Sequence, residues 1–288
     1  MLDTVEGKVI AEGKTKVLRR INESIVEVYS KDDLTAGNGA RHDVLEGKGA
    51  LANLTTCNVF ELLCRSGLSV AYVQKTGQRT FEARKCKMIK LEVVVRREAA
   101  KGGSYLKRRP SAKEGDRFKI PEVEFYLKTS GRQWRGQDCV GYILPVDDPY
   151  LFELEKGKFR VYDPGKPLGD QEPLFSLPFA DLGLTTENLA EIEAMARRTF
   201  SVLEKAWLYC SNGLLKDFKL EFGWYAVGKF ERPVLMIADV VDNDSWRLEI
   251  GGREVSKEIY RQGADLAEVL CCYQLVAERT REFGELAA

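Results

Sequence analysis

The chain has 288 residues, 44% of them hydrophobic and 31% charged, and its 44 basic and 44 acidic residues leave no formal net charge. This composition is typical of a folded protein with a sizeable core, arranged as one large domain or two modest ones. Zero net charge gives no global attraction to nucleic acid or to an anionic membrane, so neither is an expected partner and any anion site must be local. No stretch approaches the ~20 apolar residues of a membrane span, and the first residues lack the apolar region of a signal peptide.

Cysteine and histidine usage narrows the available chemistry. Seven cysteines lie scattered through the chain without a C-x-x-C pair, which favours reduced thiols and a cytoplasmic location. His42 is the sole histidine, so a structural zinc site and a histidine-dependent nucleophile are nearly excluded. Carboxylates, lysines and arginines remain, and these groups suit phosphates and magnesium.

The pattern of apolar residues predicts an α+β fold with a strand-rich front and a mixed rear. In chain order, strands are predicted near 7–11, 16–20, 24–29, 69–74 and 88–96, with a helix at about 47–66, a basic loop at 98–120 and a strand at 121–128. The rear contains a Gly-, Pro- and Asp-rich loop at 130–185 with short extended pieces such as 158–163. An amphipathic helix at 186–209, strands at 214–223 and 233–241, and a helix at 263–283 follow.

The stretch "EGKTK" is an unusual hairpin, because Lys14 and Lys16 lie one residue apart beside Gly13. A glycine that permits close approach, followed by two ammonium groups, suits a polyphosphate. The same residues also suit a solvent-facing hairpin whose lysines protect an edge strand. The spacing alone leaves both interpretations open.

A second constellation lies in "DFKLEFG" and "ADVVDNDSWR". Strand alternation places Asp217, Lys219 and Glu221 on one face, and a polar face on a buried strand is costly unless a ligand uses it. Glu221 and Asp239 could meet across the predicted hairpin and share a hard cation such as Mg²⁺. The alternative is a solvated face with ordinary cross-strand ion pairs.

Two glycine-bearing segments add candidate anion ligands. In "VVVRREAAKGGSYLKRR", Arg96 and Ser104 suit a phosphate monoester or a carboxylate, although a basic surface loop would read the same way. In "KDDLTAGNGARHDVLEGKG", Asn38 and Arg41 lie in a loop whose glycines let a ligand approach the backbone.

Taken in order, these motifs resemble the SAICAR synthetase (phosphoribosylaminoimidazole-succinocarboxamide synthase) family. The resemblance runs from about residue 7 to 285 and is carried by "EGKTK", "SKDDLTAGNGAR" with "LEGKG", "LEVVVRR" with "GSYLKR", "DFKLEFG" and "ADVVDNDSWR". The wording "TAGNGAR" and "DVVDNDSWR" is similar to the synthetase half of the animal bifunctional purine enzyme.

The resemblance implies a fold, a reaction and its ligands. The expected fold is a β-rich N-terminal nucleotide-binding lobe, 1–97, packed on a larger α+β lobe, 98–288, with an ATP cleft between them. The expected reaction uses ATP and Mg²⁺ to join L-aspartate to the carboxylate of 5-amino-1-(5-phosphoribosyl)imidazole-4-carboxylate (CAIR) in purine synthesis. The activated form of that carboxylate is expected to be an acyl phosphate. The sequence does not indicate which oligomeric state the protein adopts.

The resemblance also implies residue roles. The nucleotide ligands would be Gly13, Lys14, Lys16, Glu92 and Lys219, and the magnesium ligands would be Glu221 and Asp239. The substrate ligands would be Asn38, Arg41, Arg96, Ser104, Asp244 and Arg247, with Lys219, Arg96 and Arg247 also acting in catalysis.

One departure from the family pattern leaves alternatives open. The family spacing R-x-x-A-x-G-S becomes "RREAAKGGS", which puts Ser104 eight residues after Arg96 rather than six. The two additional residues motivate a second hypothesis, a related ATP-dependent amide ligase of specialised nucleoside metabolism with a changed substrate. A third hypothesis is a nucleotide-binding protein without catalysis.

Overall fold

The computed structural model describes residues 7–129, 132–134, 142–155, 157–226, 228 and 231–286. Its helices are α1 Lys48–Arg65, α2 Ser104–Arg108, α3 Thr186–Ser211, α4 Glu258–Arg261 and α5 Leu266–Arg281. Its strands are β1 Lys8–Glu12, β2 Lys16–Arg20, β3 Ile25–Ser30, β4 Asp33–Ala36, β5 Arg41–Val44, β6 Tyr72–Lys75, β7 Thr80–Arg84, β8 Lys87–Glu98, β9 Arg117–Leu127, β10 Gln133–Trp134, β11 Tyr142–Ile143, β12 Tyr150–Glu155, β13 Lys158–Tyr162, β14 Phe175–Pro178, β15 Leu214–Tyr225, β16 Val234–Ala238, β17 Trp246–Ile250 and β18 Arg253–Glu254. This is an α+β fold, as the sequence predicts.

The chain divides into two compact units. The first unit consists of Met1–Lys87, Val202–Leu215 and Gly223–Ala288, and the second of Met88–Ser201 and Lys216–Phe222. The lobes predicted from the sequence, 1–97 and 98–288, stay a prediction.

The first unit contains a five-stranded antiparallel sheet in the order β1-β2-β3-β7-β6. Alternate residues of β3, among them Val26 and Val28, are buried, as expected for a strand with one face on a core. Helix α1 packs against β3, β6 and β7 and also against α5. Rings of Phe60, Tyr72 and Phe81 cluster at centroid distances of 5.8–6.3 Å and fill this core.

The second unit is built on strands in the order β14-β13-β12-β9-β8-β15. The extended piece predicted at 158–163 is confirmed as β13, whereas the prediction of a loop was wrong for 150–155 and 175–178, where β12 and β14 form. Phe159 and Val161 are fully buried at alternate positions of β13, and the Phe159 ring lies 4.6 Å from that of Phe179. The sequence predicted that 158–163 is extended, but not that this strand packs into a core.

The predicted helices at 47–66, 186–209 and 263–283 are confirmed as α1, α3 and α5. The apolar stripe of α3 is buried along its length, at Leu189, Ile192, Ala196, Phe200, Leu203 and Trp207. The predicted loop at 98–120 was partly wrong, since it contains α2 and the start of β9 at Arg117. The sequence did not predict β4, β5, β7 and α4, which have four or five residues each.

Two further observations concern the chain as a whole. Among the described residues, no helix is both long enough and apolar enough to cross a bilayer. Six cysteines fall in the described part and are free thiols, and Cys139 lies outside it. Burial raises the pKa of the Cys57 thiol to about 12, so this group is an inert part of the core.

Candidate active site

In the first unit, two of the predicted ligand residues meet. Lys16 opens β2 and forms an ion pair with Asp239, which directly follows the buried strand β16. Each side chain keeps 21% exposure, so the pair is accessible to solvent. Lys14 is exposed in the preceding turn, which the Gly13 amide closes by donating to the Lys16 carbonyl oxygen at 2.9 Å.

In the second unit, neighbouring strands bring further predicted residues together. Lys219 on β15 donates from Nζ to Oε2 of Glu92 on β8 at 3.0 Å. Glu221, two residues further on the same face of β15, pairs with Lys128. The three contacts Lys16–Asp239, Lys219–Glu92 and Lys128–Glu221 are called the lysine pairs below. Their lysines are 21–40% exposed.

A dry cluster of opposite charge lies in the same unit. Arg96 donates from Nε to Glu124 at 2.6 Å and from Nη1 to Asp217 at 2.7 Å, and Arg108 also donates to Glu124. All four side chains are at most 5% exposed, and Arg96, Arg108, Glu124 and Asp217 are called the arginine cluster below. Burial alone would raise the pKa of Glu124, but the two guanidinium groups outweigh that cost and lower it.

The arginine cluster also positions Ser104. Arg96 Nη2 lies 3.4 Å from Ser104 Oγ, which in turn lies 2.8 Å from the Tyr126 hydroxyl. The loop between Arg96 and Ser104 contains a tight glycine turn, in which Gly102 has a φ of +69°. A Cβ on Gly103 would lie 2.9 Å from the Ala100 carbonyl oxygen, so the turn requires glycine there. The longer loop therefore still brings Ser104 to Arg96.

A second buried cluster surrounds Asp244 in the first unit. Its carboxylate accepts from Lys257 Nζ at 2.9 Å and from the Tyr273 hydroxyl, and Lys48 Nζ lies 3.6 Å away. Burial would raise the pKa of Asp244, but Lys48 and Lys257 hold it well below its ordinary value. Asp242 lies beside this group, and burial together with the Asp244 charge raises its pKa. Asp244 is thus a fixed anion whose orientation is set by three partners.

The remaining predicted substrate residues also lie in the first unit. Arg247 Nη2 is 3.4 Å from Glu258 Oε2. Arg41 donates to the Tyr260 carbonyl oxygen at 2.9 Å. Asn38 falls in the 3-10 turn Gly37–Gly39, and its side chain lies outside the described residues.

Sequence reasoning missed most of the partners of these residues. Glu124 could have been found as a single acid within the apolar strand "VEFYL". The sequence marks Lys48 as a cation beside the glycines of "LEGKG", but it gives no sign that this lysine is buried against Asp244. Tyr260 and Asp43 carry no signal at all, because their roles depend on contacts between distant segments.

Solved structures share this fold over nearly the whole chain. A phosphoribosylaminoimidazole-succinocarboxamide synthase from Ehrlichia chaffeensis superimposes with a TM-score of 0.73 at 26% identity, covering 95% of this chain and 98% of that one. A SAICAR synthetase in complex with ADP gives a TM-score of 0.73 at 25% identity, covering 95% and 97%. The fold and its charged sites thus define the class of protein, an ATP-dependent carbon–nitrogen ligase.

Sequence comparisons give the family. The SAICAR synthetase family profile matches residues 9–172 and 168–278. The phosphoribosylaminoimidazole-succinocarboxamide synthase of Chloroflexus aurantiacus is 38% identical over 291 residues, covering 96% of this chain and 98% of the relative. The multifunctional protein ADE2 of Gallus gallus is 37% identical over 271 residues, covering 91% of this chain and 54% of the relative. The chain belongs to the SAICAR synthetase family, and the resemblance drawn from its motifs is confirmed.

Proposed function

We propose that this chain catalyses the ATP-dependent joining of L-aspartate to the carboxylate of CAIR, giving SAICAR, ADP and phosphate in purine synthesis. The observation that carries the proposal is the match to SAICAR synthetases in sequence and fold over more than nine tenths of the chain. The proposed substrates are small molecules, and every one of them bears a carboxylate or a phosphate. They accord with the lysine, arginine and carboxylate chemistry of the described sites.

The chemistry requires activation of a poor electrophile. A carboxylate oxygen of CAIR attacks the γ-phosphorus of ATP, so that an acyl phosphate forms and ADP leaves. The amine of aspartate then attacks the acyl carbon, the C–O bond to phosphate breaks, and the amine loses a proton. Phosphoryl transfer depends on positioning and charge neutralisation more than on a side-chain nucleophile. A site without a catalytic histidine can therefore support both steps.

Nucleotide binding is assigned to Gly13, Lys14, Lys16, Glu92 and Lys219. The lysine pairs support this assignment, because an ammonium group already held beside a carboxylate can exchange that partner for a phosphate oxygen at small cost. Lys219 is also assigned to catalysis, since a cation near the transferred phosphoryl group stabilises its developing charge.

Magnesium is assigned to Glu221 and Asp239. Among the described residues there is no group of three or more His, Cys, Asp or Glu side chains that could hold a metal alone. Mg²⁺ fits this donor set, because it uses one or two carboxylates and takes its other ligands from water and phosphates. Each carboxylate forms an ion pair with a lysine, as expected for an anion that can bind a metal cation instead. When bound, Mg²⁺ would neutralise phosphate charge and orient the transferred group.

Substrate binding is assigned to Asn38, Arg41, Arg96, Ser104, Asp244 and Arg247, with Arg96 and Arg247 also in the catalytic set. Arg96 Nη2 still lies 3.4 Å from Ser104 Oγ despite the longer loop between them. This contact favours CAIR over a changed substrate. Arg96 donates from Nε and Nη1 to Glu124 and Asp217. We therefore expect Arg96 to act on CAIR mainly through Ser104.

An assay with one component omitted at a time tests the proposal. Purified protein is supplied with ATP, Mg²⁺, CAIR and aspartate, and both phosphate release and SAICAR formation are followed. We expect both only in the complete mixture. Turnover of a CAIR analogue in preference to CAIR would support the specialised ligase instead, and ATP binding without any phosphate release would support the non-catalytic alternative.

We also infer a cytoplasmic location. Free thiols at the six described cysteines are typical of a reducing compartment. A fusion to a fluorescent protein would test this inference directly, and a signal confined to another compartment would overturn it.

A further inference from the structure

The hairpin β4–β5 carries two of the residues assigned to substrate, Asn38 and Arg41, at or beside its tip. The strands have four residues each and are joined by the 3-10 turn Gly37–Gly39. Both glycines have positive φ, +56° for Gly37 and +94° for Gly39. An isolated two-stranded hairpin with such a turn is marginally stable on its own. Contacts outside the hairpin must therefore fix its position.

Tyr260 of α4 makes three contacts with the charged residues Arg41 and Asp43 of β5, and its hydroxyl also lies 3.5 Å from the Leu34 carbonyl oxygen on β4. Its carbonyl oxygen accepts from Arg41 Nη1 at 2.9 Å, and its ring centroid lies 3.9 Å from Arg41 Cζ, within the range of a cation–π contact. Its hydroxyl donates to Asp43 Oδ2 at 2.6 Å. Tyr260 is fully buried, so it is a fixed anchor for both charged residues.

These contacts restrain Arg41 without enclosing it. Arg41 Nε lies 3.4 Å from Asp43 Oδ2, which adds a third restraint on the guanidinium. Even so, the Arg41 side chain keeps 42% exposure. The hydrogen bond from the Tyr260 hydroxyl also lowers the pKa of Asp43, because it stabilises the charged carboxylate. Stacking on a ring orients the guanidinium fork, and a fork in a fixed orientation binds carboxylate or phosphate with directional specificity.

The same short segment also holds the Asp244 cluster. Lys257, three residues before Tyr260, donates to Asp244 at 2.9 Å. Residues 257–260 therefore connect two substrate groups of opposite charge, Arg41 and Asp244, through side chains that are themselves buried.

We propose that Tyr260 is a positioning residue for the anionic substrate bound by Arg41, a carboxylate or phosphate ester of the ligase reaction. Through the stack on Arg41 and the hydrogen bond to Asp43, it holds the β4–β5 hairpin in the geometry that binds this substrate. The inference rests on the proposed function, because it takes Arg41 to be a substrate ligand.

Two variants separate the ring from the hydroxyl. Tyr260→Phe keeps the stack and removes the bond to Asp43, and we expect it to raise the KM for one acidic substrate, CAIR or aspartate, by about 10-fold. Tyr260→Leu removes both contacts and is expected to raise the same KM further. The KM for ATP should change less than about twofold in each, because a positioning role is confined to the hairpin.

A matched control variant and a double-mutant cycle distinguish a positioning role from a general structural effect. Tyr72→Phe removes a similar hydrogen bond, from a 6% exposed tyrosine to Glu61 at 2.8 Å, away from the hairpin. It should leave all KM values within about twofold of wild type. In an Arg41→Met background, Tyr260→Phe should have little further effect, because both changes act on one interaction.

The single histidine supplies a readout that does not depend on turnover. His42 lies between Arg41 and Asp43 on β5, so its ring NMR signal reports the state of the hairpin. We expect one sharp signal that moves on adding CAIR or aspartate to wild type, and a broadened or multiple signal in Tyr260→Leu. Wild-type turnover with unchanged KM and an unchanged His42 signal in both Tyr260 variants would overturn this inference alone. Wild type without turnover on CAIR and aspartate would overturn the proposed function itself.

Discussion

The arginine cluster and the lysine pairs use opposite charges in two different ways. Arg96 and Arg108 are 0–4% exposed and bond to carboxylates that are equally dry. In the lysine pairs, the ammonium groups keep 21–40% exposure. A buried guanidinium cannot leave its carboxylates without stranding a charge, whereas a hydrated lysine can change partners freely. The arginine cluster is therefore suited to hold the sheet together and to position Ser104, and the lysine pairs are suited to receive a ligand.

The largest expected effect tests the structural side of this comparison. Glu124→Gln leaves two buried guanidinium groups short of one counter-charge and should lower the free energy of unfolding by about 3–5 kcal/mol. Denaturant unfolding measures this loss. Glu122→Gln on the same strand is the control, since Glu122 is only half-buried and should lose less than about 1 kcal/mol. Equal stability of the two variants would contradict the distinction.

The next-largest expected effect tests the proposal that the carboxylates of the lysine pairs bind a ligand. Glu221→Gln and Asp239→Asn each remove a proposed Mg²⁺ ligand and little packing, so turnover should fall by about 100-fold or more while the thermal midpoint stays near that of wild type. Phosphate release measured across a magnesium titration checks this. Near-normal turnover at low magnesium in either variant would show that the metal is held elsewhere.

A smaller effect is expected at the exposed turn of the first hairpin. Lys14→Ala should weaken ATP binding by about 10-fold, because one ammonium contact to phosphate is lost. Calorimetric titration with ATP measures the affinity, with Lys8→Ala on the neighbouring strand as the control. An unchanged affinity for Lys14→Ala would return the hairpin lysines to the role of protecting an edge strand.

The smallest effect is a change in acid sensitivity. Because the folded-state pKa of Glu124 lies below its ordinary value of 4.5, its contribution to stability is present above that pH and is lost as the pH falls through the lowered pKa. Glu124→Gln cannot titrate there, so its stability should fall less steeply in acid than that of wild type. Unfolding measured at several pH values between neutral and strongly acidic would decide, and parallel curves would be the contrary result.

Much of the fold could be predicted from the sequence because its long elements have clear periods. The stripe of α3 from Leu189 to Trp207 is visible in the letters and is buried as expected. Strands β12 and β14 were missed because their alternation is short and is diluted by turn residues, whereas the extended piece predicted at 158–163 is β13.

Members of the candidate site could be predicted where a charged residue interrupts a pattern of apolar residues. Asp217 and Glu221 stand out as acids that alternate with Phe218, Leu220 and Phe222 on β15, and both are buried in ion pairs. The partners were not predictable, because strand register decides them. The contact between Arg41 and Tyr260 spans 219 positions, and no local pattern in the sequence encodes it.

Asp239 combines a proposed metal ligand with an unusual backbone, since its φ of +69° lies in the left-handed region. Glycine adopts that region at no steric cost and asparagine at small cost, whereas longer and branched residues are strained there. In a saturation library at this position, backbone tolerance of positive φ as well as side-chain charge would therefore decide which variants are recovered. Glycine and asparagine would be recovered among folded but inactive clones, and glutamate, despite its carboxylate, would be depleted from the active pool.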